Sequence, residues 1–180
     1  QPCTTEGYML TVATLEPRKN YRRTLRALEQ CWDSDLAPDW VIVGRPGWGY
    51  EKFVSEMKSS RHSHRIKWVQ HLSDTELLRY YQDAMALLFP SLNEGFGLVV
   101  LEAMACGTPA IIGDNTAPAW VAGNSGLRVD AAEVDSIAAG IERIVSEKAW
   151  RCQASAVGLQ RAATFTWEAT AAKTVEAYRR

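Results

Sequence analysis

The chain has 180 residues, enough for one substantial core and short enough for a single domain. Hydrophobic residues make up 47% and charged residues 23%, an ordinary globular balance, and the formal net charge of −1 argues against a dedicated nucleic-acid binder, which carries a concentrated basic excess. No apolar run approaches the roughly 20 residues that span a bilayer, no signal-peptide pattern opens the chain, and cysteines at 3, 31, 106 and 152 match neither CxxC nor a zinc ribbon.

Residues 8–14 (YMLTVAT) read as the first strand. The loop Leu15-Glu16-Pro17-Arg18-Lys19-Asn20 follows, with Asn20 expected as the N-cap of a helix running to Trp32, whose Leu25, Leu28 and Trp32 share one face. Arg22, Arg23 and Arg26 read as its solvated side. Residues 40–43 (WVIV) form the clearest strand, ending at Gly44, and residues 66–69 (IKWV) a weaker one. His62, His64 and His71 have no usual ligand spacing and read as surface or loop histidines. Ser73-Asp74-Thr75-Glu76 is a capping-box pattern before a helix. Residues 85–89 form a fourth strand, a helix starts near Leu98, residues 109–112 form a fifth strand and 127–129 a short sixth. Ile137, Ile141, Ile144 and Val145 mark a further helix, and residues 167–178 a terminal one after Thr164-Phe165-Thr166. Cys31, Cys106 and Cys152 fall in helical segments and read as reduced, partly buried residues of a cytoplasmic chain.

Short apolar runs alternating with helices indicate α/β; doubly wound parallel sheet, Rossmann-like, over residues 1–180. The strands do not alternate in polarity, as expected where helices cover both faces. In such sheets ligands sit beyond the carboxyl ends of the strands, so the loops after Thr14, Val43, Val69 and Phe89 carry the candidate chemistry.

The fourth of these lies in PSLNEGFGLVVLEAMACGTPAI, residues 90–111. Gly95-Phe96-Gly97 leads into a helix start, whose unpaired amides and partial positive charge suit a phosphate group. Glu94 precedes it, and Glu102 falls in the second turn, expected to be partly buried among Val99, Val100, Leu101 and Met104. A carboxylate accepts two hydroxyl hydrogen bonds at once, the pair that a vicinal sugar diol presents. On residue chemistry alone two readings stand: the acids grip a nucleoside diphosphate sugar, or Glu94 merely complements a helix terminus and Glu102 pairs with a cation. In the first loop Arg18 and Lys19 are placed to neutralise a diphosphate, or are surface charge before a helix.

The segments ATLEPRKNYRRTLRALEQ, WVIVGRPGWGYE, IKWVQHLSDTELLRYYQDAMALLFPSLNEGFGLVVLEAMACGTPAI and TFTWEATAAKTVEAYRR together resemble the C-terminal, donor-binding half of family 4 glycosyltransferases, retaining enzymes of GT-B architecture. The most specific element is Glu94 with seven residues before Glu102, the E-x7-E motif. The resemblance implies that Glu94 contacts the donor sugar, Glu102 holds the ribose, and amides around Gly95, Phe96, Gly97 and Leu98 bind the diphosphate. It further implies that Lys19, assisted by Arg18, stabilises the leaving group, with Gly44 lining the site and His71 and Leu72 framing the base through backbone groups. No metal or other cofactor is expected.

Two departures stand out. Thr14 replaces an arginine that many relatives carry, and His71 occupies a turn where relatives often have glycine. The segments 15–20 and 44–48 resemble a mannosyltransferase-like branch, which makes GDP-mannose the first expected donor and a glycan or lipid-linked molecule the acceptor. The chain opens on Gln1 rather than methionine. The expectation is therefore the donor half of a longer enzyme whose N-terminal acceptor domain is absent, cytoplasmic or peripheral on the inner membrane face. An exposed apolar patch on the terminal helix, able to support a homodimer, goes with that expectation. A non-catalytic nucleotide-sugar-binding subunit or sensor is the alternative. A dinucleotide oxidoreductase lacks the early GxGxxG.

Overall fold

The computed structural model describes residues 7–114 and 116–179; Cys3 lies outside them. Six strands, Met9–Val12 (β1), Trp40–Val43 (β2), Ile66–Val69 (β3), Ala86–Phe89 (β4), Ala110–Gly113 (β5) and Gly126–Val129 (β6), form one parallel sheet in the order β3-β2-β1-β4-β5-β6. Helices Tyr21–Asp33 (α1), Glu51–Ser59 (α2), Asp74–Asp83 (α3), Leu98–Ala105 (α4), Ala117–Ala122 (α5), Val134–Ser146 (α6), Lys148–Ala162 (α7) and Trp167–Tyr178 (α8) accompany it.

Every residue of β2, β4 and β5 is buried, which explains the unbroken apolar runs. The two faces still divide with the pleat. Met9, Ala86 and Leu88 pack with Leu25 and Leu28 of α1, Phe53 of α2 and Ile137 and Ile141 of α6. Leu10, Leu87 and Phe89 pack on the other side with Tyr81 of α3, Val100 and Met104 of α4 and Val121 of α5. Each fully buried aliphatic chain contributes about 1.5–3 kcal/mol of apolar transfer.

The capping box before α3 forms as expected: the Ser73 hydroxyl accepts from the Glu76 amide, and the Glu76 carboxylate accepts from the Ser73 amide at 2.8 Å. β1 stops at Val12, two residues early, but Leu15 still donates its amide to Arg45 and bridges Pro46, so the strand direction continues into the loop. β4 begins at Ala86 rather than Met85, β5 at Ala110 rather than Pro109, and β6 extends back to Gly126. Three helices lack a strong sequence signal. α2 buries only Phe53 and Met57, α5 has six residues, and α7 buries Arg151, Ala154, Ser155, Gly158 and Ala162, a stripe of mostly small residues with no aliphatic period. α8 is capped by Thr166, whose hydroxyl accepts from the Ala169 amide, and buries none of its residues.

Candidate donor site at the sheet switch point

β1 pairs with β2 on one side and β4 on the other, so the strand order reverses there and the loops leaving β1 and β4 open a crevice at the carboxyl edge. The two loops are tied together. The Leu92 amide donates to the Arg18 carbonyl at 2.9 Å, and the Ser91 hydroxyl lies 3.0 Å from that carbonyl and 2.8 Å from Glu94 Oε1. Asn20 adds a third tie: its side-chain amide donates to the carbonyls of Pro90 and Ala131.

That use of Asn20 corrects the expectation of a side-chain N-cap. Asn20 occupies the position before α1, but with φ 64° it makes no side-chain cap; its backbone carbonyl instead receives the Thr24 amide and hydroxyl. Asparagine tolerates the left-handed region better than most residues, and its side-chain oxygen, the atom a cap would use, accepts from the Arg23 guanidinium at 3.3 Å rather than from an α1 amide.

Within the crevice Lys19 Nζ lies 2.5 Å from Glu94 Oε1, and Arg18 Nη1 lies 3.2 Å from Oε2. The Lys19 and Glu94 side chains are 10% and 9% exposed, whereas Arg18 stands largely in solvent and also pairs with Glu16. The Lys19 ammonium sits 5.0 Å from the centre of the Phe89 ring, at the end of β4. Cation and carboxylate therefore neutralise one another at the edge of the core.

The two glycines of the loop do different work. Gly97, at φ 97°, immediately precedes α4, and a Cβ there would meet Pro118 Cγ at 2.8 Å. A Cβ on Gly95 would meet nothing within 4 Å, so the backbone there borders open space. The Val100 and Leu101 amides donate to the Gly97 carbonyl, so the Leu98 and Val99 amides are the ones that a helix start leaves without intrahelical acceptors. Phe96 is half-exposed and meets Trp120 and Phe165 edge-on, at centroid separations of 6.3 and 6.1 Å, while the Arg161 guanidinium lies over both Trp120 and Phe165. Leu98, the first residue of α4, is exposed.

Glu102 falls in the second turn of α4, but on its exposed face, which corrects the expected partial burial: Val100, Ala103 and Met104 take the core side. Its carboxylate is nonetheless held, because the buried Tyr81 hydroxyl donates to Glu102 Oε2 at 2.7 Å. Burial pushes the Tyr81 pKa up and the adjacent carboxylate raises it further, so the phenol stays a neutral donor. Burial and Glu102 likewise push the Cys106 thiol up, away from reactivity.

The remaining site candidates sit on the neighbouring loops. His71 and Leu72 follow β3; His71 is exposed with φ 57°, the left-handed conformation that glycine adopts freely, which accounts for a glycine preference in that turn. Gly44 follows β2, where its amide donates to Val69, its carbonyl accepts from the Trp68 indole, and a Cβ would fall 1.9 Å from the Ala13 carbonyl oxygen. Its backbone groups are thus engaged within the protein. Thr14 is exposed at the start of the β1 loop. Tyr81, Ser91 and Asn20 carry no motif of their own; only the need of a buried tyrosine hydroxyl for a partner hints at the first of them. Among the described residues no group of three or more His, Cys, Asp or Glu side chains is arranged to hold a metal.

A doubly wound parallel sheet of this order, with helices on both faces, is a Rossmann-like domain of the GT-B type. The chain belongs to the glycosyl transferases group 1 family, whose family model matches residues 3–161. It is 33% identical over 175 residues to the O-antigen chain mannosyltransferase B of Escherichia coli, covering 97% of this chain and 46% of that protein. It is 42% identical over 146 residues to the D-inositol 3-phosphate glycosyltransferase of Frankia alni, covering 77% of this chain and 35% of the relative. The sucrose-phosphate synthase of Thermosynechococcus elongatus superposes with a TM-score of 0.83 at 26% identity, over 97% of this chain and 45% of that one. The chain thus spans about half the length of relatives that it matches almost throughout.

Proposed function

We propose that this chain is the donor-binding domain of a retaining hexosyltransferase, with GDP-mannose as first donor and a glycan or lipid-linked acceptor held by another domain of a longer protein. The observation that carries the reading is the Lys19–Glu94 pair beside the start of α4, with Glu102 in the second turn of that helix.

In this reading the donor diphosphate takes the α4 amides and competes with Glu94 for Lys19 and Arg18. Glu94, released, turns its oxygens to hydroxyls of the hexose, and Glu102 accepts from the ribose diol. As the bond between sugar C1 and the diphosphate breaks, its electron pair passes to the departing oxygen. Lys19 and the amides stabilise that charge, each well-placed donor by about 2–4 kcal/mol. The acceptor hydroxyl bonds to C1 on the face the leaving group vacates, and its proton leaves with the diphosphate. Glu94 orients the sugar rather than attacking it. No metal enters, because cations and a helix terminus meet the same electrostatic demand. His71 and Leu72 frame the base, and Gly44 supports the site by packing the β2 loop against Ala13. The mannosyl donor draws on the mannosyltransferase that matches 97% of the chain.

No helix among the described residues is long and apolar enough to cross a membrane. A cytoplasmic setting, peripheral where the acceptor is lipid-linked, suits the proposed chemistry. Trp167 and Tyr178 on α8 are 85% and 87% exposed, and this surface would be covered by the other domain, or by a second copy of the chain when that domain is missing.

Calorimetry with GDP, UDP and their hexose conjugates tests the reading. GDP-mannose should bind most tightly and Glu102→Ala should weaken it about tenfold or more. Equal affinity in the variant would overturn the assignment of Glu102, and no binding of any nucleotide would overturn the donor reading.

A further inference from the structure

We propose that Tyr81 is the positioning residue for Glu102, fixing the carboxylate in a diol-accepting orientation before any ligand arrives. The inference rests on the reading of Glu102 as the ribose acceptor.

Glu102 stands on the exposed face of α4, where a glutamate normally samples many rotamers. Ordering such a side chain on binding costs conformational freedom. Here that freedom is already restricted. The Tyr81 hydroxyl donates to Oε2, which leaves Oε1 and the second lone pair of Oε2 for two ligand hydroxyls.

Tyr81 is itself immobile. Its side chain is 2% exposed, packed in the apolar layer with Val100, Ala103 and Met104 of α4. Its carbonyl accepts from the Thr108 hydroxyl at 2.6 Å and from the Ala84 amide. Thr108 in turn donates its amide to the Ala103 carbonyl, in the turn that ends α4. These bonds tie the tyrosine to the helix that carries Glu102 without passing through the loop at Gly95. A phenol held neutral can only give its single proton to the carboxylate, so the direction of the bond is fixed as well. Burial obliges the hydroxyl to find a partner, and the packing of α3 against α4 gives it this solvent-facing acid.

The test separates orientation from packing. Tyr81→Phe keeps the ring and removes only the hydroxyl. GDP and 2′,3′-dideoxy-GDP are titrated into the unaltered chain, Tyr81→Phe and Glu102→Gln, with thermal unfolding recorded for each. The unaltered chain should favour GDP over the dideoxy compound. Tyr81→Phe should weaken GDP about five- to tenfold while leaving the dideoxy affinity unchanged, and Glu102→Gln should remove most of the preference. If Glu102→Gln removes the preference and Tyr81→Phe preserves it, the inference on Tyr81 is wrong and the Glu102 reading stands. If Glu102→Gln preserves the preference, the reading of Glu102 falls and this inference with it. Should Tyr81→Phe unfold, Glu102→Asp, which keeps the charge but draws it back from the hydroxyl, must show the same selective loss; an undiminished preference there would also overturn the inference.

Discussion

Lys19 and Glu94, 75 positions apart in sequence, meet at 2.5 Å because the loops of β1 and β4 leave the sheet side by side. On the proposed donor reading each is a group that a diphosphate sugar would claim, and in the structure each satisfies the other. The pair stores the site in a neutral form at the margin of the core, where neither charge would be tolerated alone.

Removing the cation should therefore cost stability as well as function. Lys19→Ala leaves Glu94 with the exposed Arg18 and the Ser91 hydroxyl, and is expected to lower unfolding free energy by about 1–3 kcal/mol in urea titrations. The double variant Lys19→Met with Glu94→Gln should recover most of that loss, because no uncompensated charge remains. In the longer protein the single variant should lower turnover about 10²–10³-fold.

The glycines of the α4 loop should separate cleanly. Gly97→Ala brings a Cβ to 2.8 Å from Pro118 in a left-handed backbone, and a loss of about 2–3 kcal/mol is expected in denaturant titrations. Gly95→Ala meets open space and should leave stability within about 0.5 kcal/mol. Only the second should chiefly weaken nucleotide-sugar binding, by crowding the ligand instead of the protein.

The capping box before α3 gives a pH signature. Hydrogen bonds from the Ser73 hydroxyl and amide hold the Glu76 carboxyl below its ordinary value of 4.5. A folded-state value below the unfolded one gives stability that is present above about pH 4.5 and is lost as pH falls through the folded value. Melting temperatures of the unaltered chain and Glu76→Ala should thus differ at pH 7, and the difference should shrink as acid takes the pH down through the lowered folded-state value.

The exposed aromatic surface of α8 is expected to make the isolated chain self-associate. Sedimentation velocity should show a concentration-dependent monomer–dimer equilibrium, shifted to monomer by Trp167→Ser with Tyr178→Ser. A monomer at all concentrations would remove the dimer proposal.

Much of this architecture was legible in the sequence because the strands are buried on both faces and leave unbroken apolar runs such as WVIV and ALLF. The capping box and the helix start at Leu98 were equally plain, since their chemistry is local. What escaped is non-local or small. α7 buries alanines and a glycine, so no aliphatic period announces it. Asn20 looks like a cap by position, yet its amide reaches residues 70 and 111 positions away. Glu102 looked half-buried from its apolar neighbours, but a helix of eight residues turns only one face inward, and Glu102 is on the other. Its partner Tyr81 lies in the preceding helix of the fold, and only the packed structure shows that hydroxyl meeting that acid.

On the proposed reading Glu94 and Glu102 grip two different parts of one donor. Titration of Glu94→Gln with GDP and with GDP-mannose tests it most directly. GDP is expected to bind this variant at least as tightly as the unaltered chain, because Lys19 is freed for the diphosphate, while the added affinity contributed by the mannose is lost. Glu102→Gln should weaken both ligands by a similar factor, about tenfold. If Glu94→Gln keeps the mannose contribution intact, or weakens GDP as much as GDP-mannose, the two acids do not divide the donor between them.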